Sequence, residues 1–114
     1  MSSIMGVGVD IIEIERFRKV SGSKGGRFVA NVFSKKEELY CRAFADPAPH
    51  FAGTFAAKEA AGKALGGKYH ISILEVRRTK SGKPEIWRGG KRLSRLSISI
   101  SHAESCAVAV CVAA

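Results

Sequence analysis

Glu59 and Lys63 stand four residues apart inside the stretch Asp46 to Gly67, DPAPHFAGTFAAKEAAGKALGG. On a helix that spacing puts a carboxylate and an ammonium on one face, a turn from each other. Their surroundings are unusual for charges. Phe51, Ala52, Phe55, Ala56, Ala57, Ala60, Ala61, Ala64 and Leu65 carry apolar or small side chains over nearly every face, the composition of a helix packed on most sides. Only Lys58, Glu59 and Lys63 interrupt it between Phe51 and Leu65 with charge. A charge in such a place is costly unless it is paired, neutralised or bound to a metal. Two chemistries are open. One is an intrahelical Glu59–Lys63 ion pair, stabilising the helix by roughly 0.2–0.5 kcal/mol. The other is a carboxylate that binds a cation, with a lysine beside it for an anionic ligand. Spacing alone does not choose.

The elements that must position these residues follow from punctuation and period. Asp46-Pro47 and Pro49 signal the helix start, and Gly66-Gly67 supplies the left-handed residue that closes it. Upstream, Ile4 to Val9 reads as a short buried strand ending at Asp10, with Gly6 and Gly8 leaving one face bare for a backbone or a ligand. The third glycine of a dinucleotide fingerprint is missing. Asp10 is then either a cap for a helix over Ile11–Val20 or a metal ligand at a strand end. Ser21–Gly26 reads as a loop, and Arg27–Phe33 as a helical turn anchored by Phe28 and Phe33. Ser34-Lys35-Lys36-Glu37 forms a capping box that opens a helix to about Phe44.

After the central helix the period changes from helical to alternating. Ile71–Arg78 and Pro84–Arg88 read as strands of a hairpin turning at Lys80-Ser81-Gly82-Lys83. Leu96–Ser101 alternates strictly between Leu96, Ile98, Ile100 and three serines. The turn His102–Ser105 then leads to an apolar strand, Cys106–Val112. Helices first and antiparallel strands later predict an α+β fold, with helices packed on a small antiparallel sheet in one domain spanning 1–114.

The chain of 114 residues carries a formal charge of +9, which favours an anionic partner. Its basic residues are dispersed rather than clustered, and no stacking platform or nucleic-acid motif accompanies them. A nucleic-acid module would also leave Asp10 and Glu59 without a role. Cys41, Cys106 and Cys111 show neither zinc nor redox spacing, which fits free thiols in a reducing cytoplasm. No signal peptide or membrane span is expected, since Asp10, Glu13 and Glu15 interrupt the N-terminal apolar run early.

Three separated stretches carry a resemblance. GVGVDIIEIER (Gly6–Arg16), FAAKEAAGKALG (Phe55–Gly66) and SISISH (Ser97–His102), with Gly82-Lys83-Pro84 in order between them, resemble the small single-domain holo-acyl-carrier-protein synthases of the 4′-phosphopantetheinyl transferases. The resemblance covers essentially the whole chain. It implies Mg²⁺-dependent transfer of phosphopantetheine from coenzyme A to a serine of an acidic apo acyl carrier protein, releasing adenosine 3′,5′-bisphosphate. It implies that Asp10 and Glu59 hold the metal and that Lys63 contacts the phosphates and completes the catalytic set. His102 and Lys83 would lie on the cofactor, and Arg16, Arg27 and Phe28 on the carrier-binding surface. A homotrimer with sites at subunit clefts is implied as well. Thr54 stands where an arginine commonly precedes the Phe-Ala-Ala-Lys-Glu-Ala run, and the segment after Gly67 is short, with Lys68 near it.

The residues agree with that chemistry. Phosphoryl transfer asks for positioning and charge neutralisation rather than a covalent nucleophile on the enzyme. Mg²⁺ takes oxygen ligands, usually one or two carboxylates completed by phosphate and water. The general base is left open between Glu59 and a water on the metal.

Overall fold

Strand β1 (Gly6–Glu13) leads into α1 (Ile14–Val20), followed by α2 (Gly26–Val32), α3 (Lys35–Arg42) and the long α4 (Ala48–Ala64). A 3₁₀ turn at Ile71–Ile73 then precedes β2 (Leu74–Arg78), β3 (Pro84–Arg88), β4 (Lys91–Arg92), β5 (Leu96–His102) and β6 (Cys106–Ala113). This computed structural model describes residues 3–20 and 26–114. The expected loop Ser21–Gly26 therefore lies outside the described residues as far as Gly25, and Gly26 opens α2. The strands form two antiparallel sheets, β1-β6-β5 and β2-β3-β4, so the α+β expectation holds.

Side-chain size explains how α4 lies on the first sheet. The sheet's inner face presents Gly6, Gly8 and Ile12 from β1, Ala107, Ala109, Cys111 and Ala113 from β6, and Leu96, Ile98 and Ile100 from β5. Against it α4 sets Ala56, Ala57, Ala60, Ala61 and Ala64, all buried. Small residues on both sides let the two backbones touch. A Cβ on Gly8 would fall 1.9 Å from the Ala60 carbonyl oxygen, and one on Gly6 would fall 2.1 Å from that of Ala64. The bare glycine face thus accommodates another backbone. Gly66 and Gly67, at φ 78° and 76°, end the helix as expected, with the Gly67 N–H donating to the Gly62 carbonyl at 2.8 Å.

The other side of α4 is held by charge and by rings. Lys58 is fully buried, donating to the Val32 carbonyl and, at 2.9 Å, to Glu37 Oε1. Glu37 closes the capping box by accepting from Ser34 N at 2.8 Å, and its Oε2 takes the Val76 N–H at 2.7 Å. One carboxylate therefore ties α3, α4 and β2 together. Phe17 fills the space between α1, α2 and α4, with ring centroids 5.3 Å from Phe55 and 6.0 Å from both Phe28 and Phe33.

Several boundaries differ from expectation. The first strand does not end at Asp10: pairing with β6 continues to Glu13 opposite Cys106, so Asp10 sits mid-strand opposite Ala109. The alternation of buried Ile12 with exposed Ile11 makes Asp10–Glu13 a strand, and the helix expected from Ile11 begins at Ile14. Asp10 is therefore no helix cap. Helix α3 stops at Arg42, and Ile71–Ile73 is a 3₁₀ turn capped by His70, whose Nδ1 accepts from Ser72 N. The short β4 gave no periodic signal. His102 is the last residue of β5, paired with Ala107, rather than the first of a turn.

Two substitutions test this packing. Gly8→Ala should destabilise by about 3 kcal/mol, since the added methyl meets backbone rather than a movable side chain. Lys58→Ala should cost about 3–5 kcal/mol by leaving the Glu37 charge buried and unpaired, and Lys58→Met with Glu37→Gln should cost less. Urea denaturation followed by circular dichroism measures both; a neutral Gly8→Ala would contradict the close approach.

Candidate active site

Because α4 and β1 touch backbone to backbone, side chains from the two meet along their margin. Lys63, one turn beyond Glu59, reaches across to β1. Its Nζ donates to the Val9 carbonyl at 2.9 Å and lies 3.3 Å from Asp10 Oδ1. Lys63 is 54% exposed and Asp10 16%, so this pair sits at the surface rather than in the core. The intrahelical Glu59–Lys63 ion pair does not form, because the glycine-lined strand brings Asp10 within the lysine's reach.

That leaves two carboxylates with spare capacity. Asp10 Oδ2 is buried and accepts no hydrogen bond. Glu59 is partly buried and, among the described residues, has no hydrogen bond or ion pair. A buried carboxylate oxygen without a partner costs free energy, and capacity to bind a cation is one recognised reason for such an oxygen. The donors are hard oxygens on adjoining elements, and among the described residues no group of three or more His, Cys, Asp or Glu gathers as a metal cage. This donor set fits Mg²⁺, which takes few protein ligands and completes its shell with phosphate and water.

Lys63 also lines a cleft of about 650 Å³ with an apolar floor including Leu65, Leu93 and Leu96 and basic residues Lys68, Lys91, Arg92 and Arg95. Lys63, Lys68, Lys91, Arg92 and Arg95 thus surround one cleft, which suits a polyanion with an apolar arm.

The remaining expected site residues are not gathered here. His102 lies on the inner face of β5 beside His50, near the N-terminal end of α4, with ring centroids 5.7 Å apart. From His50 to Lys63 the helix rises about 20 Å. Lys83 is exposed on the β2–β3 hairpin, where its backbone N–H donates to Thr79 Oγ1 at 3.2 Å. Arg16 and Phe28 do share a patch: Phe28 packs on Phe17, and the Arg16 guanidinium lies 5.3 Å from the Phe55 ring centroid. Arg27 is exposed on α2 beside Phe28. Sequence reasoning missed the buried Lys58–Glu37 pair that fixes the height of Glu59 over the sheet. The available signal was a lysine amid alanines with a capping-box glutamate upstream, and the capping role alone had accounted for Glu37.

The profile of the 4′-phosphopantetheinyl transferase superfamily matches residues 6–111, which include Asp10, Glu59, Lys63 and His102. The chain belongs to this superfamily. Among curated phosphopantetheinyl transferases, the holo-[acyl-carrier-protein] synthase of Chlorobaculum parvum is 45% identical over 111 residues, covering 93% of this chain and 95% of the relative. That of Thermodesulfovibrio yellowstonii is 40% identical, covering 96% and 97%. A crystal structure of the Bacillus anthracis holo-(acyl-carrier-protein) synthase in complex with CoA (3′,5′-ADP) superposes with a TM-score of 0.81 at 30% identity, covering 98% and 97%. The Helicobacter pylori synthase in complex with coenzyme A gives 0.80 at 29%, covering 95% and 99%.

If the orphan Asp10 oxygen and Glu59 await a cation, neutralising either carboxylate should not harm the metal-free fold. Asp10→Asn and Glu59→Gln should keep or raise the melting temperature in EDTA, since like charges on adjoining elements repel. Both should abolish any rise in melting temperature that added Mg²⁺ produces in the unaltered protein. A sharp drop of the EDTA melting temperature for Glu59→Gln would instead mark a structural ion pair.

Proposed function

We propose that the chain is a holo-[acyl-carrier-protein] synthase, a single phosphopantetheinyl transferase domain that uses coenzyme A and an acidic apo acyl carrier protein. The observation that carries the reading is the orphaned Asp10 oxygen beside Lys63, which itself lines a basic, apolar-floored cleft, with Glu59 one turn back on the same helix and without a partner among the described residues. Asp10 and Glu59 would hold Mg²⁺, which would supply charge neutralisation for the phosphates of coenzyme A. Lys63, held at β1 by the Val9 carbonyl, turns its ammonium to the same phosphates. The carrier serine Oγ forms a bond to the phosphorus bearing the pantetheine arm. The bond from that phosphorus to the bridging oxygen breaks, and adenosine 3′,5′-bisphosphate leaves with the electron pair. Glu59, free of any hydrogen bond, is the nearby candidate to receive the serine proton. Arg16, Arg27 and Phe28 meet the acidic carrier, where exposed charges act mainly on the rate of encounter. His102 and Lys83 serve the nucleotide end.

The outer face of the first sheet supports assembly as a homotrimer with sites at subunit clefts. Val7, Val9 and Ile11 of β1 are 59%, 56% and 67% exposed, beside Val108 and Val110 of β6 at 37% and 40%. Such a contiguous apolar patch is characteristic of an interaction surface. Clefts between copies would also bring His102 of one copy to the carboxylates of another. Among the described residues no helix is long and apolar enough to cross a membrane, and Cys41, Cys106 and Cys111 are free, as in a cytoplasmic protein.

The direct test is to incubate the protein with apo carrier, coenzyme A and Mg²⁺ and weigh the carrier by mass spectrometry. The carrier should gain one phosphopantetheine, and EDTA should prevent it. Asp10→Asn and Glu59→Gln should each lower the rate by about two to three orders of magnitude, since a bridging cation is worth several kcal/mol. The double variant should be little worse, because residues holding one ion act as a unit. Arg16→Ala with Arg27→Ala should raise the KM for carrier and flatten its salt dependence. No mass gain, or activity within a few-fold for Glu59→Gln, overturns the reading. Light scattering at micromolar concentration should give a trimer, and Val9→Asp should dissociate it; a fully active monomer refutes the assembly.

A further inference from the structure

Lys63 belongs to two places at once. Its Nζ donates to the Val9 carbonyl at 2.9 Å and lies 3.3 Å from Asp10 Oδ1, while the same side chain lines the cleft of about 650 Å³. The two members of the ion pair differ in how firmly they are held. Asp10 is 16% exposed and sits mid-strand, paired with Ala109 of β6. Lys63 is 54% exposed, its ammonium carried on a flexible four-carbon stem. Of its two contacts the one to Val9 is the shorter, so the ammonium can leave the carboxylate while the carbonyl still holds it.

Charge gives it a reason to move. Lys68, Lys91, Arg92 and Arg95 line the cleft with Lys63, and among the described residues no Asp or Glu lines it. These like charges repel one another, and Asp10 holds Lys63 to one side of them; an anion in the cleft reverses that balance. At Asp10, Oδ1 has Lys63 within reach, while the buried Oδ2 accepts no hydrogen bond. An ammonium only donates and has no lone pair to offer a metal ion. A cation that takes up Asp10 must therefore displace Lys63 rather than share it.

We propose that Lys63 is a positioning residue with two settings, standing in for the divalent cation at Asp10 until the metal displaces its ammonium toward an anion in the cleft. The second setting rests on the transferase reading, which supplies the anion; displacement from Asp10 does not. Metal and anion favour one another through a residue that meets both, and each raises the other's affinity by the same factor. The arrangement weakens metal binding on its own, since a divalent ion must replace the ammonium and approach a positive charge. In return Asp10 keeps one partner without the metal, and the carboxylate is held in place for it.

Calorimetric titration of the whole protein with Mn²⁺ alone, without coenzyme A or carrier, tests this. Lys63→Met should bind Mn²⁺ about tenfold more tightly than the unaltered protein, the scale expected for removing a unit charge beside a divalent ion at a wet site. Lys63→Ala should behave alike, and Lys63→Arg, which keeps the charge, should show no gain. The gain should vanish when Lys63→Met is made in an Asp10→Asn background, because it arises at that carboxylate. In EDTA the melting temperature of Lys63→Met should fall by a few degrees as Asp10 loses its partner, and Mn²⁺ should restore it. Unchanged or weaker Mn²⁺ binding by both Lys63→Met and Lys63→Ala overturns the inference, as does an equal gain in the Asp10→Asn background or no Mn²⁺ binding by any of these proteins. Failure of the transferase reading looks different: no carrier gains mass, yet the Lys63 variants still bind Mn²⁺ more tightly and the displacement stands.

Discussion

Everything in the first sheet depends on one steric allowance, the absence of a side chain at Gly6 and Gly8. With the Ala60 and Ala64 carbonyls pressed on β1, no methyl group fits between strand and helix. The approach fixes the lateral position of α4 on the sheet, and the alanines on both surfaces follow from it. It also decides the charge pattern. Lys63 can leave its own helix for the Val9 carbonyl and Asp10 only because the strand is so near, and that departure leaves Glu59 unpaired.

Charges along α4 are handled in two opposed ways. Lys58 is removed from water altogether and compensated by a carboxylate that is itself saturated with donors. Such a pair adds little net stability over an apolar substitute, yet it tolerates almost no misplacement of α3, α4 and β2, because a missing partner leaves a bare buried charge. Asp10, one strand away, is treated in the reverse manner: one oxygen is shared with a half-exposed lysine and the other is left unsatisfied. A rigid, fully satisfied pair on one side of the helix thus supports an incomplete one on the other. That division keeps the incomplete site from collapsing onto itself.

Much of the architecture was legible because local signals and tertiary packing agree. The capping box at Ser34–Glu37, the glycine stop at Gly66–Gly67 and the alternation of Leu96–Ser101 each name a residue whose backbone requirement is met in the fold. The error at β1 has a plain cause. Asp10 reads as a strand end because acids are rare inside paired strands, but strand pairing with β6 and the placement of Ile12 inside override that preference. The candidate site stood out in the sequence as two carboxylates and a lysine, since their types are unusual in an alanine-rich helix and a glycine-rich strand. Which of them pair was not. The choice of Asp10 over Glu59 as partner for Lys63 is a matter of ångströms between two elements 53 residues apart, and no spacing rule along the chain records it.

Lys58, Glu59 and Ala60 are consecutive, and each is treated differently: Lys58 reaches the buried Glu37, Glu59 is partly exposed and without a partner among the described residues, and the Ala60 carbonyl presses on Gly8. A single turn of helix therefore carries an anchor, an unpaired carboxylate and a point of backbone contact with no residue to spare between them. Sequence drift cannot adjust one without the others, because a larger residue at the fully buried position 60 would overpack the helix and a shorter one at 58 would leave the Glu37 charge without its partner. Homologous chains could vary freely along the hairpin or the solvent side of α3 and keep their chemistry. In this tripeptide they would be expected to change together or not at all, which makes it a better marker of shared mechanism than overall identity.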